Sequence, residues 1–242
     1  MTDNNKPLEG RLALVTGASK GIGAATAEAL ASAGAHVVLT ARDVKKLEAV
    51  EDRIHAAGGS STIAPLDLAE ADGVARLASA VSGRWDKLDI LVLSAAYLPS
   101  LTPVTQIDPK QFGQALTTNV MATQSLLAGF DPMLKRAEAA RIIGLTSSVG
   151  AGPRAYWAAY GSTKAAFENI LDSYAQEVEK LSGIRVAIVD PGATRTDMRA
   201  RAYPGEDPAT VKPAEDVANR LVALVQEDFP TRHRERVEAA DG

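Results

Sequence analysis

At 242 residues, with a formal net charge of −4 and basic and acidic residues interspersed throughout, the chain suits one α/β domain and carries no basic patch of the kind nucleic-acid binding requires. The absence of cysteine excludes disulfides and thiolate chemistry, and His36, His55 and His233 lie too far apart in sequence to suggest a metal site. The opening MTDNNKPLEG is polar and no 18-residue apolar run occurs, so the expectation is a soluble cytoplasmic protein with no membrane partner.

Residues 1–10 read as a loose tail. Leu12 to Val15 form a continuous apolar run, the pattern of a strand buried on both faces of a parallel sheet. The turn that follows carries Gly17, Ser19, Lys20, Gly21, Ile22 and Gly23. Glycines there let backbone N–H groups approach a phosphate at the start of a helix, so a bound pyrophosphate is expected. Residues 24–33 supply helix formers, Gly34 stops the helix, and Val37, Val38 and Leu39 restart a strand. This is a Rossmann-type βαβ unit, although the spacing GxxxGxG departs from GxGxxG and the turn alone is weak evidence.

An acid at the end of the second strand binds a ribose 2′-OH, whereas an arginine accommodates a 2′-phosphate. Ala41-Arg42 stands there, Asp43 lies two places past the expected position and reads as a helix N-cap, and Lys20 adds a second positive charge. NADP (NADPH) is therefore favoured. Residues 62–66 read as a third strand ending in Asp67-Leu68, with Asp67 open between holding an adenine and capping the next helix. The fourth strand, Leu88 to Leu93, ends in the small-residue turn Ser94-Ala95-Ala96, where ligands dock in open α/β sheets.

A proline-bearing loop leads to a helix over 110–129 containing Asn119, a poor interior helix residue. A structural bond and a functional partner stand on equal footing there. A fifth strand over 141–145 ends in Thr146-Ser147-Ser148, and an amphipathic helix over 156–181 carries Tyr160 and Lys164. A sixth strand, 184–189, ends in Pro191-Gly192. Residues 197–212, rich in breakers, read as a lid-like loop, and 213–226 as a helix. Residues 236–239 are open between a short edge strand and a charged tail. Six strands alternating with helices make a doubly wound parallel sheet, a Rossmann fold in a single domain spanning 1–242.

Tyr160 and Lys164, at i and i+4, share a helix face with Cβ atoms roughly 5–6 Å apart. Lowering a phenol's pKa from near 10 by about 3 units takes roughly 4 kcal/mol. A cation about 4 Å away at an effective dielectric of about 20 supplies that much. Alone, YxxxK is a common surface pair.

Joined to the glycine turn, a strand-end serine and Asn119, the set resembles the short-chain dehydrogenase/reductase family, in its compact single-domain branch, over nearly the whole chain. The resemblance rests on Thr16-Gly17-Ala18-Ser19-Lys20-Gly21-Ile22-Gly23, Asn119, Ser147, Tyr160-Gly161-Ser162-Thr163-Lys164 and Pro191-Gly192-Ala193-Thr194-Arg195-Thr196. It implies that Tyr160 protonates a carbonyl oxygen as hydride arrives, and that Ser147, thirteen residues before it, holds that oxygen. It further implies that Lys164 binds the nicotinamide ribose and that Asn119 orders a water relaying protons to Lys164. Thr194 and Thr196 would meet the carboxamide and the pyrophosphate. Two departures stand out. Leu93-Ser94-Ala95-Ala96 replaces the family's NNAG, removing side-chain amides that brace the sheet centre. Only Asp241-Gly242 echoes the usual VDGG-like end, which bears on the last strand and on the family's usual tetramer.

The expected activity is NADPH-dependent reduction of a ketone or aldehyde, with 3-oxoacyl thioesters among the candidates, by a homo-oligomer (dimer or tetramer). The alternative is a non-catalytic NADP-binding redox sensor on the same fold. Leu98, Pro99, Tyr156, Trp157, Met198 and Tyr203 are candidates for an apolar substrate pocket. Arg199 and Arg201 are open between meeting an anionic substrate and facing solvent.

Overall fold

The computed structural model describes residues 6–238. Its strands are β1 (Leu12–Thr16), β2 (His36–Thr40), β3 (Ser60–Ile63), β4 (Ile90–Leu93), β5 (Arg141–Leu145), β6 (Arg185–Asp190) and β7 (His233–Arg236). They form one sheet in the order β3-β2-β1-β4-β5-β6-β7, and every adjacent pair is parallel. The strand order reverses between β1 and β4, so their C-terminal ends open a crevice at the centre of the sheet.

The period of two along each strand divides the core between the faces. Leu12 and Leu14 of β1, Ile142 of β5 and Val186 and Ile188 of β6 pack against α3 (Gly73–Ser82), α5 (Ala122–Arg136) and α7 (Ala158–Val178). Their neighbours Ala13, Val15, Ile143, Ala187 and Val189 pack against α1 (Gly21–Ser32), α2 (Val44–Ala56) and α9 (Ala214–Leu224). Each large aliphatic side chain buried this way contributes about 1.5–3 kcal/mol relative to exposure. The layered core holds the crevice walls rigid.

Several elements differ from the pattern-based expectation. Residues 6–10 are not a loose tail: Leu8 is fully buried and its N–H bonds the Ala33 carbonyl at 2.9 Å, docking this segment on the end of α1; residues 1–5 lie outside the described residues. β3 covers Ser60–Ile63 rather than 62–66. Ala64 and Leu66 still donate to the carbonyls of Leu39 and Ala41, but Pro65 between them has no N–H and ends the regular ladder.

The helix expected over 110–129 starts at α4 (Pro109–Leu116), where Asp108 caps the N–H of Lys110. It passes through one π-turn (Thr117–Met121) and continues as α5 to Arg136, because buried Phe130, Met133 and Leu134 extend the apolar stripe past Gly129. α7 begins at Ala158, after Tyr156 at φ +72°, and not at 156. Residues 197–212 hold α8 (Asp197–Ala202), capped by Thr196, and a 3₁₀ turn (Pro208–Thr210) rather than an unstructured loop.

The sheet has seven strands, not six. β7 pairs with Ala187 to Asp190 of β6 although it reads His-Arg-Glu-Arg, with no apolar residue. Ion pairs hold it: Arg234 to Glu168 and Asp172, Glu235 to Arg220, and Arg236 to Asp190. A charged edge also discourages pairing with other chains. Of the residues 236–239 considered for an edge strand, only Arg236 belongs to β7, and Ala239 lies outside the described residues.

Candidate active site

A cleft of about 370 Å³ opens where β1 and β4 part. One wall is the glycine turn: Gly17, Ser19, Lys20, Gly21, Ile22 and Gly23 all line it. Gly17 sits at φ +69°, and a Cβ there would lie 2.9 Å from the Ala95 Cα; a Cβ on Gly23 would lie 2.3 Å from the Gly17 carbonyl oxygen. A larger residue at position 17 would push the turn off the β4 end, and one at position 23 would clash with the main chain of the turn itself. The first residues of α1, Gly21 to Gly23, border the cleft. No acid occupies the first turn of α1, and its cap residue Lys20 makes no side-chain cap bond, so that end is free to receive an anion.

The sheet centre is braced without the family's amides. Thr16 Oγ1 accepts from the N–H groups of Ser94 (3.0 Å) and Ala95 (3.1 Å) and donates to the Val92 carbonyl (3.3 Å). The threonine hydroxyl at the end of β1 therefore fastens the turn after β4 through main-chain groups, and Ser94 and Ala95 line the cleft.

At the far end of the cleft stand Thr40, Ala41, Arg42, Asp43, Lys46, Asp67 and Leu68. Asp43 caps α2, accepting from the Lys46 N–H at 3.2 Å. Its carboxylate is thus committed to the helix end, whereas the Arg42 guanidinium is exposed and its nearest acid is Asp67 at 3.9 Å. Asp67 also accepts from the Ala69 N–H. The Thr40 hydroxyl is buried with no partner among the described residues.

Tyr160 and Lys164 line the opposite wall, both buried. The Lys164 ammonium donates to the Leu145 carbonyl at 2.7 Å and lies 5.8 Å from the Tyr160 ring centroid. Burial has the largest effect on both groups. It pushes the Tyr160 phenol well above its ordinary value, with the Asp190 charge adding to the rise. It also pushes Lys164 down to about 8, against the pull of Glu168. Burial, with the Asp190 charge adding to it, therefore keeps the phenol protonated, as suits a proton donor. The Tyr160 hydroxyl meets the Met198 sulfur at 3.9 Å, and Leu98, Val149, Trp157 and Ala202 complete an apolar cluster around them.

Asn119 and Ser147 do not line the cleft. Asn119, 1 % exposed, sits in the π-turn and is fully used: it accepts from the Tyr97 N–H (2.7 Å) and donates to the Tyr97 carbonyl (3.0 Å) and Thr163 Oγ1 (2.9 Å). Its side chain joins the loop after β4 to α7 one residue before Lys164. Ser147 is the N-cap residue of α6 (Ser148–Ala151), half-buried, with no hydrogen bond to its hydroxyl among the described residues. Pro191 and Thr196 reach the cleft, but Gly192 and Thr194 do not. The Thr194 hydroxyl donates to the Pro191 carbonyl and shapes the loop. Arg199 pairs with Glu206 and Arg201 donates to the Leu98 carbonyl, so neither is free to meet an anionic substrate. Tyr156 is 59 % exposed and stands outside the apolar cluster. Thr146, read as part of the strand-end turn where ligands dock, lines the cleft; Thr40, Tyr97 and Asp197, which also line it, were not singled out by sequence reasoning.

The short chain dehydrogenase family matches residues 11–207. The oxidoreductase YciK of Escherichia coli (strain K12) is 33 % identical over 224 residues, covering 91 % of this chain and 88 % of its own. The chain belongs to the short chain dehydrogenase family. Among solved structures, one described as a short chain dehydrogenase from Pseudomonas syringae superposes with a TM-score of 0.93 at 38 % identity, covering 97 % of both chains. Another, from Escherichia coli CFT073 and complexed with NADPH, gives a TM-score of 0.92 at 32 % identity, covering 98 % of this chain and all of its own. Membership makes the chain an oxidoreductase with a nicotinamide cofactor.

No helix among the described residues is long and apolar enough to cross a membrane. No group of three or more metal-ligating side chains is found among them.

Proposed function

We propose that this short chain dehydrogenase uses NADPH to reduce a ketone or aldehyde, 3-oxoacyl thioesters among them, to an alcohol. One observation carries the reading: a single cleft has the free N-terminus of α1 on one wall, an exposed Arg42 at one end, and Tyr160 with Lys164 on the facing wall. The site suits a dinucleotide with a 2′-phosphate. Gly17 and Gly23 leave room for a pyrophosphate against main-chain N–H groups, Arg42 suits the extra phosphate, and Asp43 is engaged as a cap. The NADPH complex of the Escherichia coli relative supports the same cofactor. When bound, NADPH supplies the hydride.

The chain's own residues supply the proton and the surroundings. A protonated Tyr160 donates its hydroxyl proton to the carbonyl oxygen as negative charge builds there; an alkoxide is the stronger base, so the transfer runs toward the product. Lys164 stabilises the phenolate left behind. Its ammonium lies 5.8 Å from the Tyr160 ring centroid, on the same helix face. The family resemblance gives Ser147 the role of holding the same oxygen, and its hydroxyl, set back from the cleft lining, has no partner among the described residues; Asn119 fixes α7 relative to the loop after β4. The apolar cluster of Leu98, Val149, Trp157 and Met198 excludes water and favours a substrate with an apolar group beside its carbonyl. Residues 197–212 act as a lid over that group.

The test is a panel of ketones, aldehydes and 3-oxoacyl thioesters followed by loss of NADPH absorbance. Turnover of any of them with Tyr160-dependent kinetics supports the proposal. Tight NADPH binding with no turnover of the panel favours the redox-sensor alternative.

A further inference from the structure

We propose that Glu168 is a positioning residue for Lys164, giving the buried ammonium its counter-charge and linking the acid–base helix to the edge strand β7. Glu168 lies one turn beyond Lys164 on α7, and its side chain is only 10 % exposed. One carboxylate oxygen accepts from the Thr146 hydroxyl and the other from Arg234 of β7 at 2.6 Å. Arg234 is held in turn by Asp172, one further turn along α7.

Lys164 and Glu168 both pack against Gly150 of α6, without forming a direct ion pair. A Cβ at Gly150 of α6 would lie 2.8 Å from Glu168 Oε1 and 3.0 Å from the Lys164 Cβ. The end of β5 serves both: the Leu145 carbonyl takes the ammonium, and the next residue, Thr146, gives its hydroxyl to the carboxylate. Thr146 itself lines the cleft. A buried ammonium with one carbonyl bond is costly unless an opposite charge stands near it, and Glu168 is the acid whose charge raises the Lys164 pKa against burial.

The other charged groups around Lys164 can be named. On α7 these are Tyr160 and, beyond Glu168, Asp172. On β6 there is Asp190, whose charge acts on Tyr160 and which Arg236 of β7 approaches to 3.6 Å. Arg234 faces the far side of Glu168. Lys212 is turned away, donating to the Ala193 carbonyl. The packed parts of α6, the end of β5 and the π-turn contribute no titratable side chain. An arginine on an edge strand thus sets the field at the lysine through one carboxylate, although β7 contributes nothing to the cleft wall.

The inference rests on the reading of Lys164 as the residue beside the proton donor, so it is tested without turnover. The full chain is labelled with ¹³C-lysine and the Lys164 signal, assigned by its loss in Lys164→Met, is titrated by NMR. Glu168→Gln keeps the shape and an acceptor for Thr146 but removes the charge. The Lys164 pKa should fall from about 8 by about one pH unit or more. Arg234→Gln removes the opposing positive charge and should move it upward. A folded Glu168→Gln whose Lys164 titration is unmoved, even with a lower unfolding midpoint, overturns the proposal and leaves the network as a clamp for β7. Should Glu168→Gln not fold, Arg234→Gln decides: an upward move supports the proposal, and no move overturns it. Because the titration needs no substrate, a carbonyl panel without turnover would count against the proposed reduction and leave the Lys164 result standing.

Discussion

The Met198 sulfur stands 3.9 Å from the hydroxyl of Tyr160, the proton donor of the proposed reduction. Met198 belongs to α8, which is tied to the glycine turn by the Lys20–Asp197 pair at 2.6 Å. The thioether is partly buried and packs against the apolar cluster that holds Tyr160. We predict that Met198→Ala changes the KM for carbonyl substrates severalfold while the Kd for NADPH stays within about twofold, since loss of a methylene or two from an apolar pocket is worth about 1–3 kcal/mol. Equal changes in both constants would place Met198 outside the substrate's path.

The Lys20–Asp197 pair is exposed, and such pairs contribute about 0–1 kcal/mol. So weak a latch should give way when Lys20 finds a phosphate. We predict that amide exchange across 197–212 slows on adding NADPH and slows further with a bound alcohol product. Exchange in this segment that is equally slow with and without ligands would rule out a lid.

Arg42 is exposed and only loosely approached by Asp67, so its charge is available to a 2′-phosphate. Arg42→Ala should weaken NADPH binding roughly tenfold or more, as expected for loss of a charged hydrogen bond of about 1.5–3 kcal/mol. NADH should be nearly unaffected. Titration by cofactor fluorescence checks this, and equal affinity of the unmodified protein for both cofactors would contradict it.

The two ends of the fold were legible to different degrees, for physical reasons. β1, β4 and β5 announce themselves because buried parallel strands need unbroken apolar runs, and Leu12 to Val15 or Leu91 to Leu93 can hardly be anything else. β7 gave no such signal, since its stability comes from Arg220, Glu168, Asp172 and Asp190, partners distant in sequence. Tyr160 and Lys164 were visible as a helical pair beside a glycine turn. The use of Asn119 was not: its partners are the main chain of Tyr97 and the hydroxyl of Thr163, and only the folded chain brings these to the π-turn. The bracing of the sheet centre by Thr16 was equally hidden, because a main-chain N–H is the donor and carries no sequence signature.

Burial of Lys164 has a consequence for stability. Its pKa falls from 10.5 to about 8 on folding, so between these values the unfolded chain binds more protons than the folded one. The unfolding free energy should therefore rise with pH through that window, by up to about 3 kcal/mol for the whole interval. Tyr160 is raised on folding, and its opposing contribution enters only above its ordinary value of 10.0. The comparison accordingly belongs between pH 7 and pH 9.5, roughly one and a half pH units above the lysine's value. We predict that urea unfolding of Lys164→Met lacks most of the rise seen in the unmodified protein. Parallel pH profiles for the two proteins would mean that Lys164 is not depressed.

The proton donor offers the sharpest test of the chemistry. Tyr160→Phe removes one hydroxyl and keeps the ring that packs with Leu98 and Val149, edge-on to Trp157 at 6.1 Å between centroids. The hydroxyl's one partner among the described residues is a sulfur at 3.9 Å, a weak contact, so the substitution should cost the fold little. NADPH binding should survive as well, since the glycine turn, Arg42 and Lys164 are untouched. Reduction should fall by about 10² to 10⁴, the usual contribution of a positioned general acid. The measurement is single-turnover loss of NADPH absorbance on a substrate that the unmodified protein reduces, with cofactor affinity determined on the same preparation. A Phe variant that keeps full activity would show that the proton comes from another group, and Ser147, unengaged at the end of β5, would be the next to examine.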